Sequence, residues 1–160
     1  MGKMQREKGK RFERLIANKL REFFPEHTDE IRRSIQSREA EESDVTGLPG
    51  LWVECQDAIL PTPLKKLEQA ERDVRANNLE LSIIPIAVTH QIRAKAIYVT
   101  LRLSHLHYIF GHHINDYRFN APFMLTSSTV TPHVAVLLGD FLDIVKEYVK
   151  STHEKANDTT

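Results

Sequence analysis

The sequence predicts an α/β fold in which a mixed β-sheet is flanked by helices. Apolar residues recur at helical spacing from residue 3 to residue 23. The later stretches LSIIPIAVTH and AIYVTLRL are rich in the β-branched residues typical of buried strands. Because helical and strand-like segments alternate within 160 residues, we expect one domain built around one sheet.

The first half of the chain predicts a helix, short strands and a second helix. The first helix occupies residues 3–23, and Pro25 ends it. Short strands are expected from Ile31 to Ile35 and at Val45, followed by a Gly-Pro-Gly turn and a longer strand from Leu51 to Gln56. The second helix is predicted to have Thr62 as its N-cap, Pro63 at its first position and its end at Asn77–Asn78.

The second half predicts two more buried strands and two strand–helix units. Ser104 and Asp140 are the predicted N-caps of the two helices, and residues 112–133 are expected to be irregular. The domain is predicted to cover residues 1–150, with a disordered polar tail at 151–160.

Composition favours a globular protein of the cytoplasm. Apolar residues make up 41% of the chain and charged residues 28%, which excludes a disordered composition. No apolar stretch approaches the roughly 20 residues of a membrane helix, and no secretory signal is recognised, so we expect no membrane partner. The only cysteine, Cys55, excludes an internal disulfide and favours a reducing compartment.

Positive charge is concentrated at the front of the chain. Residues 1–38 hold 11 Lys/Arg and 6 Asp/Glu, a net charge of +5, and the other 122 residues hold 11 and 16, a net charge of −5. This asymmetry indicates either a surface for a polyanion such as DNA or a solvated helix face. The candidate phosphate-binding residues at the front are Lys3, Lys8, Lys10, Arg11, Arg32 and Arg33.

The strand LWVECQ places a carboxylate within an otherwise apolar run. Side chains alternate across a strand, so Leu51, Val53 and Cys55 share a face that should point into the core. The opposite face carries Glu54 and Gln56, together with Trp52, which we interpret as a packing residue. A buried carboxylate needs compensation, and a metal ion supplies it strongly. Mg²⁺ needs only one or two carboxylates while keeping several waters.

Two further acids are candidate partners of Glu54. The Gly47–Gly50 turn brings Asp44 back toward Glu54, although Asp44 could merely cap a turn. Glu13 lies on or beside the apolar stripe of the first helix, although it could instead be a surface residue paired with Lys10 or Arg14. Together the three acids predict a divalent-cation site.

These stretches resemble the PD-(D/E)XK nuclease superfamily and, within it, phage-type endonucleases of the Holliday-junction-resolvase kind. The resemblance covers roughly residues 8–103 and is carried by KGKRFERLIANKLRE, RRS, SDV, GLPGLWVECQ and LEQA. The family pattern has a glutamate on the first helix, an aspartate at a β-turn and E-x-K on the next strand. Glu13, Asp44 and Glu54 match the acids. Ser43 stands where proline is usual, and Gln56 stands where lysine is expected.

The resemblance implies a restriction-endonuclease-like fold and a Mg²⁺- or Mn²⁺-dependent endodeoxyribonuclease. Glu13, Asp44, Glu54 and Gln56 are then the catalytic residues, and the three acids hold the metal. The implied partner is DNA, branched DNA in particular, and the implied assembly is a homodimer in a bacterial or phage-infected cell. The alternative is a catalytically inactive DNA-binding module of the same fold, because Gln56 replaces the lysine.

The second helix offers a substitute cation. Lys65 and Lys66 lie in its first turn, where the helix dipole disfavours cations unless a phosphate docks there, although an ordinary solvated turn is the alternative. Gln69 matches a glutamine often found on the active-site helix of the superfamily. Both lysines and Gln69 are therefore candidate DNA-binding residues.

The histidine-rich stretch suggests two other kinds of site. A zinc site would draw on His105, His107, His112 and His113, but it lacks a well-spaced fourth ligand and cysteine support. The segment GHHIND resembles the start of an HNH nuclease motif, whose later residues would have to be Asn120 and His133 at poor spacing. Cys55 is expected to be a core thiol rather than a nucleophile, since it faces away from Glu54.

Overall fold

The computed structural model of the protein describes residues 3–35, 42–79, 83–113, 124–126 and 132–157. Four helices and seven strands lie in these ranges. The helices are α1 (Lys3–Phe23), α2 (Pro63–Ala76), α3 (Leu103–His113) and α4 (Leu138–Asn157), with a short 3-10 helix at Pro25–His27. The strands are β1 (Arg32–Arg33), β2 (Val45–Thr46), β3 (Leu51–Ala58), β4 (Ile84–Gln91), β5 (Ile97–Arg102), β6 (Met124–Thr126) and β7 (His133–Leu137).

All strands of the described ranges form one mixed sheet in the order β1-β2-β3-β4-β5-β7-β6. Its parallel pair, β3 and β4, places Glu54 opposite Ala87 in the register, and its other pairs are antiparallel. Parallel neighbours need a crossover connection, which α2 provides. The predicted α/β class with a mixed sheet flanked by helices is therefore confirmed.

The two faces of β3 pack against different partners. Leu51, Val53 and Cys55 belong to the main core, which also contains residues of α1, α3 and α4. On the other face, Trp52 packs with Ala70 and Val74 of α2 in a smaller apolar cluster, which we call the α2 cluster. The predicted alternation is confirmed, and the face that carries Glu54 is covered by α2.

The turn between β2 and β3 depends on two glycines. Gly47 has φ +90°, and a Cβ there would lie 2.1 Å from the backbone oxygen of Glu30. Gly50 has φ +76°, and a Cβ there would lie 2.8 Å from the ring of Tyr148. Only glycine adopts these conformations at this proximity without strain. The turn holds β2 against β3, so the residue just before β2, Asp44, stays beside β3.

Three predictions at the C-terminal end need correction. Asp140 is not an N-cap, because α4 already begins at the buried Leu138 and Asp140 lies within its first turn. Likewise α3 begins at Leu103 rather than after Ser104. The segment 112–133 is not wholly irregular, since β6 lies within it.

The predicted tail is also wrong for residues 151–157, which continue α4. The hydroxyls of Ser151 and Thr152 donate to the backbone oxygen of Tyr148, and the His153 ring contacts the His27 ring at 4.7 Å between centroids. These contacts tie a polar segment to the domain. Residues 158–160 lie outside the described ranges.

Among the helices that the structure describes, none is both long enough and apolar enough to cross a membrane.

Candidate functional site

Glu54 is buried at the centre of the candidate site. It is 3% exposed on β3, and both carboxylate oxygens have partners. Oε1 accepts a hydrogen bond from Trp52 Nε1 at 3.1 Å, and Oε2 accepts one from Gln69 Nε2 at 3.3 Å. Lys66 Nζ lies 2.8 Å from Oε2. Glu54 is thus fixed by its own strand on one side and by α2 on the other.

Asp44 joins Glu54 through the same lysine. Its Oδ2 accepts the backbone N–H of Cys55 at 2.8 Å, which anchors the carboxylate to β3. Lys66 Nζ lies 3.4 Å from the same oxygen. Asp44 therefore does more than cap a turn: it shares the Lys66 ammonium with Glu54.

Burial makes this group electrostatically unusual. Desolvation, followed by the nearby charge of Asp44, raises the pKa of Glu54 to about 7, although Lys66 opposes the shift. Burial alone would lower the pKa of Lys66, but Asp44 and Glu54 outweigh it, so the Lys66 pKa is raised. Lys66 is therefore a permanent cation beside two carboxylates, one of which titrates near neutrality.

Glu13 faces inward as predicted, but it has a different partner. It is 7% exposed, and its Oε2 accepts a hydrogen bond from Arg33 Nη1 at 3.1 Å. Burial and then Asp44 raise the pKa of Glu13, while Arg33 and Lys66 oppose the shift. The alternative pairing with Lys10 is not seen, because Lys10 pairs with Glu7 at 3.4 Å.

The predicted three-acid metal shell is not assembled. Among the described residues, no group of three or more His, Cys, Asp and Glu side chains is arranged to hold a metal ion. Asp44 and Glu54 meet through Lys66, whereas Glu13 interacts with Asp44 at longer range and is paired with Arg33. Glu13 stays apart from the other two acids because, on α1, its carboxylate forms an ion pair with Arg33 of β1.

Gln56 does not point a free amide into the site. Its Oε1 accepts the backbone N–H of Thr62 at 2.8 Å, and its Nε2 donates to Thr62 Oγ1 at 3.3 Å. The Thr62 side chain makes no capping hydrogen bond of its own. The predicted side-chain cap by Thr62 is therefore not formed, and Gln56 instead holds the residue just before α2, one turn before Lys66.

The predicted DNA-binding residues fall into two groups. Lys66, Gln69 and Arg33 contact site carboxylates. The second group lies on the surface, and Lys10 in it is partly exposed. The side chain of Lys3 lies outside the described part of the chain. The exposed ones are Lys8, Arg11, Arg32 and Lys65.

Sequence reasoning missed two features of the site. The sequence predicts Lys66 as a substitute cation and phosphate ligand but not its direct contact with Glu54, although the i, i+3 spacing of Lys66 and Gln69 places both on one helix face. Trp52 was treated only as a packing residue, yet it stands two positions before Glu54 on the same strand face, within reach of its carboxylate.

The described residues do not support a Cys55 nucleophile, a zinc site or an HNH motif. Cys55 is buried in the main core, which confirms the predicted core position, and burial raises the pKa of its thiol well above its usual value. No zinc-like group forms among the described side chains, and those of His112 and His113 lie outside them. Asn120, the other residue that an HNH motif would need, also lies outside them.

A cavity of about 750 Å³ lies away from the carboxylates, between α2 and the start of α3. Glu71, Arg102 and His105 are among its lining residues, and none of the predicted site residues is. Cavity volume therefore does not mark the candidate site, and the converging charges do.

The Asp44–Glu54 pair fits a divalent cation. Mg²⁺ prefers oxygen ligands and needs only one or two carboxylates. The Lys66 ammonium already compensates both carboxylates at this position, which shows that the pair accommodates positive charge. Comparison of the chain with protein-family models, with curated proteins and with solved structures gives no match.

Proposed function

We propose that this protein is a Mg²⁺- or Mn²⁺-dependent endonuclease that hydrolyses phosphodiester bonds in DNA, with a restriction-endonuclease-like fold. The observation that carries the proposal is the Lys66 ammonium, 2.8 Å from Glu54 and 3.4 Å from Asp44. Two acids and a lysine, brought together from the residue before β2, from β3 and from α2, are groups suited to phosphodiester hydrolysis with a bound divalent cation.

Asp44 and Glu54 would hold the cation. When bound, the cation supplies charge stabilisation for the scissile phosphate and lowers the pKa of a coordinated water. Lys66 provides a fixed positive charge next to the carboxylates, and its three N–H donors can serve a phosphate oxygen or the attacking water. Lys66 thereby takes the role that the resemblance gives to the position of Gln56.

The DNA surface is the second part of the proposal. Lys8 and Arg11 are exposed on the helix that carries Glu13, and Lys65 is exposed beside Lys66. Contacts from such residues to phosphates hold a duplex without reading its sequence. The preference for branched DNA and the homodimer rest on the resemblance to junction resolvases.

An inactive DNA-binding module of the same fold is the alternative. One observation favours it: Lys66 already forms ion pairs with both carboxylates, and such an ion-paired group can serve packing alone. The two functions differ in metal dependence, since a packing role needs no cation.

Cleavage of labelled DNA tests the proposal. Four-way junctions, flaps, duplexes and single strands are incubated with Mg²⁺, Mn²⁺ or EDTA, and strand breaks are counted. The wild type is compared with Glu54→Gln and Asp44→Asn, and with Glu68→Gln as a matched control on the exposed side of α2.

We expect metal-dependent cleavage that both site variants abolish and that Glu68→Gln retains. Cleavage by Glu54→Gln at the wild-type rate would refute the proposed site. DNA binding without cleavage of any substrate would favour the inactive module.

A further inference from the structure

Trp52 is the only tryptophan in the chain, and it makes a buried polar contact. It is 6% exposed and packs with Ala70 and Val74 in the α2 cluster. Its indole Nε1 donates to Glu54 Oε1 at 3.1 Å. Because Trp52 and Glu54 are two residues apart on a strand, both side chains point to the same face of β3.

The two oxygens of Glu54 are held by different kinds of donor. Oε1 receives the neutral indole N–H, which is fixed by packing. Oε2 receives Gln69 and the charged Lys66, and it shares Lys66 with Asp44. The carboxylate thus has one oxygen anchored in the fold and one oxygen directed toward the site.

We propose that Trp52 is a positioning residue, whose indole N–H orients the Glu54 carboxylate so that Oε2 is presented to a divalent cation. This inference rests on the proposed function. It assigns to the Trp52 indole N–H a role beyond packing.

Three physical reasons support this role. The last torsion of a glutamate side chain is soft, so an unanchored carboxylate rotates. A neutral donor fixes it without neutralising the charge that a cation needs. Loss of the donor leaves a buried acceptor unsatisfied, and the loss of hydrogen-bond partners behind metal ligands typically weakens metal binding about 10- to 100-fold.

A single tryptophan allows a direct test of the contact. In a ¹⁵N-correlated NMR spectrum, Trp52 gives one indole N–H signal. We expect Glu54→Ala to move this signal upfield and to speed its hydrogen exchange, while Glu68→Ala leaves it in place. We also expect added Mg²⁺ to shift the signal in the wild type. An indole signal unchanged by Glu54→Ala would overturn the inference whether or not the protein cleaves DNA.

The role in cation binding is tested by removing only the donor. Trp52 is replaced by its benzothienyl isostere, in which sulfur takes the place of the N–H, and also by Phe. Mg²⁺ affinity is measured by calorimetry, without DNA. We expect the dissociation constant to rise about 10-fold or more in both variants.

Val74→Ala is the packing control, since it disturbs the α2 cluster without touching Glu54. We expect it to lower the unfolding temperature and to leave the Mg²⁺ dissociation constant unchanged. An isostere that binds Mg²⁺ like the wild type would overturn the inference and leave the proposed function standing. A wild type that binds no Mg²⁺ would overturn both.

Discussion

Lys66 Nζ lies 2.8 Å from Glu54 Oε2, so a helix rather than the strand supplies the cation beside the strand carboxylate. The strand position two residues after Glu54 is occupied by Gln56, which accepts the backbone N–H of Thr62 just before α2. The two facts are linked, since this contact fixes the start of the helix that delivers Lys66. The site therefore contains a positive charge, that of Lys66, even though residue 56 is glutamine.

We expect Lys66→Met to lower DNA cleavage at saturating DNA by about 100-fold, the typical effect of removing one stabilising donor from a transition state. Lys65→Met is the matched control, because Lys65 is the exposed neighbour of Lys66 on the same helix. It should weaken DNA binding by about one phosphate contact and leave the maximal cleavage rate close to that of the wild type. Equal maximal rates for Lys66→Met and wild type would remove Lys66 from the mechanism.

A lysine at position 56 should not increase the proposed activity. We expect Gln56→Lys to reduce the free energy of unfolding by about 1 kcal/mol, because lysine has no acceptor for the Thr62 N–H at the helix start. Its cleavage rate should not exceed that of the wild type. Gln56→Glu keeps an acceptor and serves as control. Urea denaturation measures the first expectation, and the junction-cleavage assay measures the second; faster cleavage by Gln56→Lys would contradict our reading of Lys66.

Hydrophobic periodicity was sufficient to predict most elements. The spacing of apolar residues predicted α1 from residue 3 to residue 23, as observed, and strand alternation correctly separated the two faces of β3. The end of α4 could not be predicted in this way. Its last residues are polar, and they are held by contacts to Tyr148 and His27 that depend on the tertiary fold.

The sequence predicts the candidate site most directly where a carboxylate interrupts an apolar pattern. Glu54 and Glu13 both stand out in this way, and both are buried. Lys66 and Arg33 are predicted as phosphate-binding residues, but the sequence does not show that they pair with these acids. Which cation reaches which acid depends on how α2 and β1 are placed against β3, and local patterns carry no information on that placement.

Glu54 is expected to cost stability at alkaline pH. Its pKa is raised to about 7 in the fold, mainly by burial, from an ordinary value of 4.5. A raised pKa means that the stabilising contribution is complete below pH 4.5 and is lost as pH rises through about 7. Without added metal, Glu54→Gln should therefore be more stable than the wild type at pH 8.5, by on the order of 1–3 kcal/mol, and the advantage should shrink at pH 5. Urea denaturation at the two pH values tests this, and a glutamine variant that is less stable at pH 8.5 would contradict it.

His90 provides a second pH dependence, on the other face of the sheet. Its Nδ1 lies 2.8 Å from Asp57 Oδ1, and its Nε2 lies 2.8 Å from the backbone oxygen of Ala94. An imidazole with an acceptor at each nitrogen satisfies both only when it is protonated. The hydrogen bond to Asp57 accordingly raises the pKa of His90, assisted by Ala94 and opposed by burial.

The raised pKa of His90 gives stability that is complete below the unfolded value of 6.5 and is lost as pH rises through the folded value. We expect His90→Asn to destabilise the protein by up to about 1 kcal/mol at pH 5.5, because the ion pair is partly open to solvent, and by less at pH 9. Asp57→Asn removes the partner instead and should show the same pH trend. The measurement is the difference in urea midpoint between wild type and variant at each pH. A difference that grows toward pH 9 would mean that the neutral imidazole, not the imidazolium, bridges Asp57 and Ala94 in the folded protein.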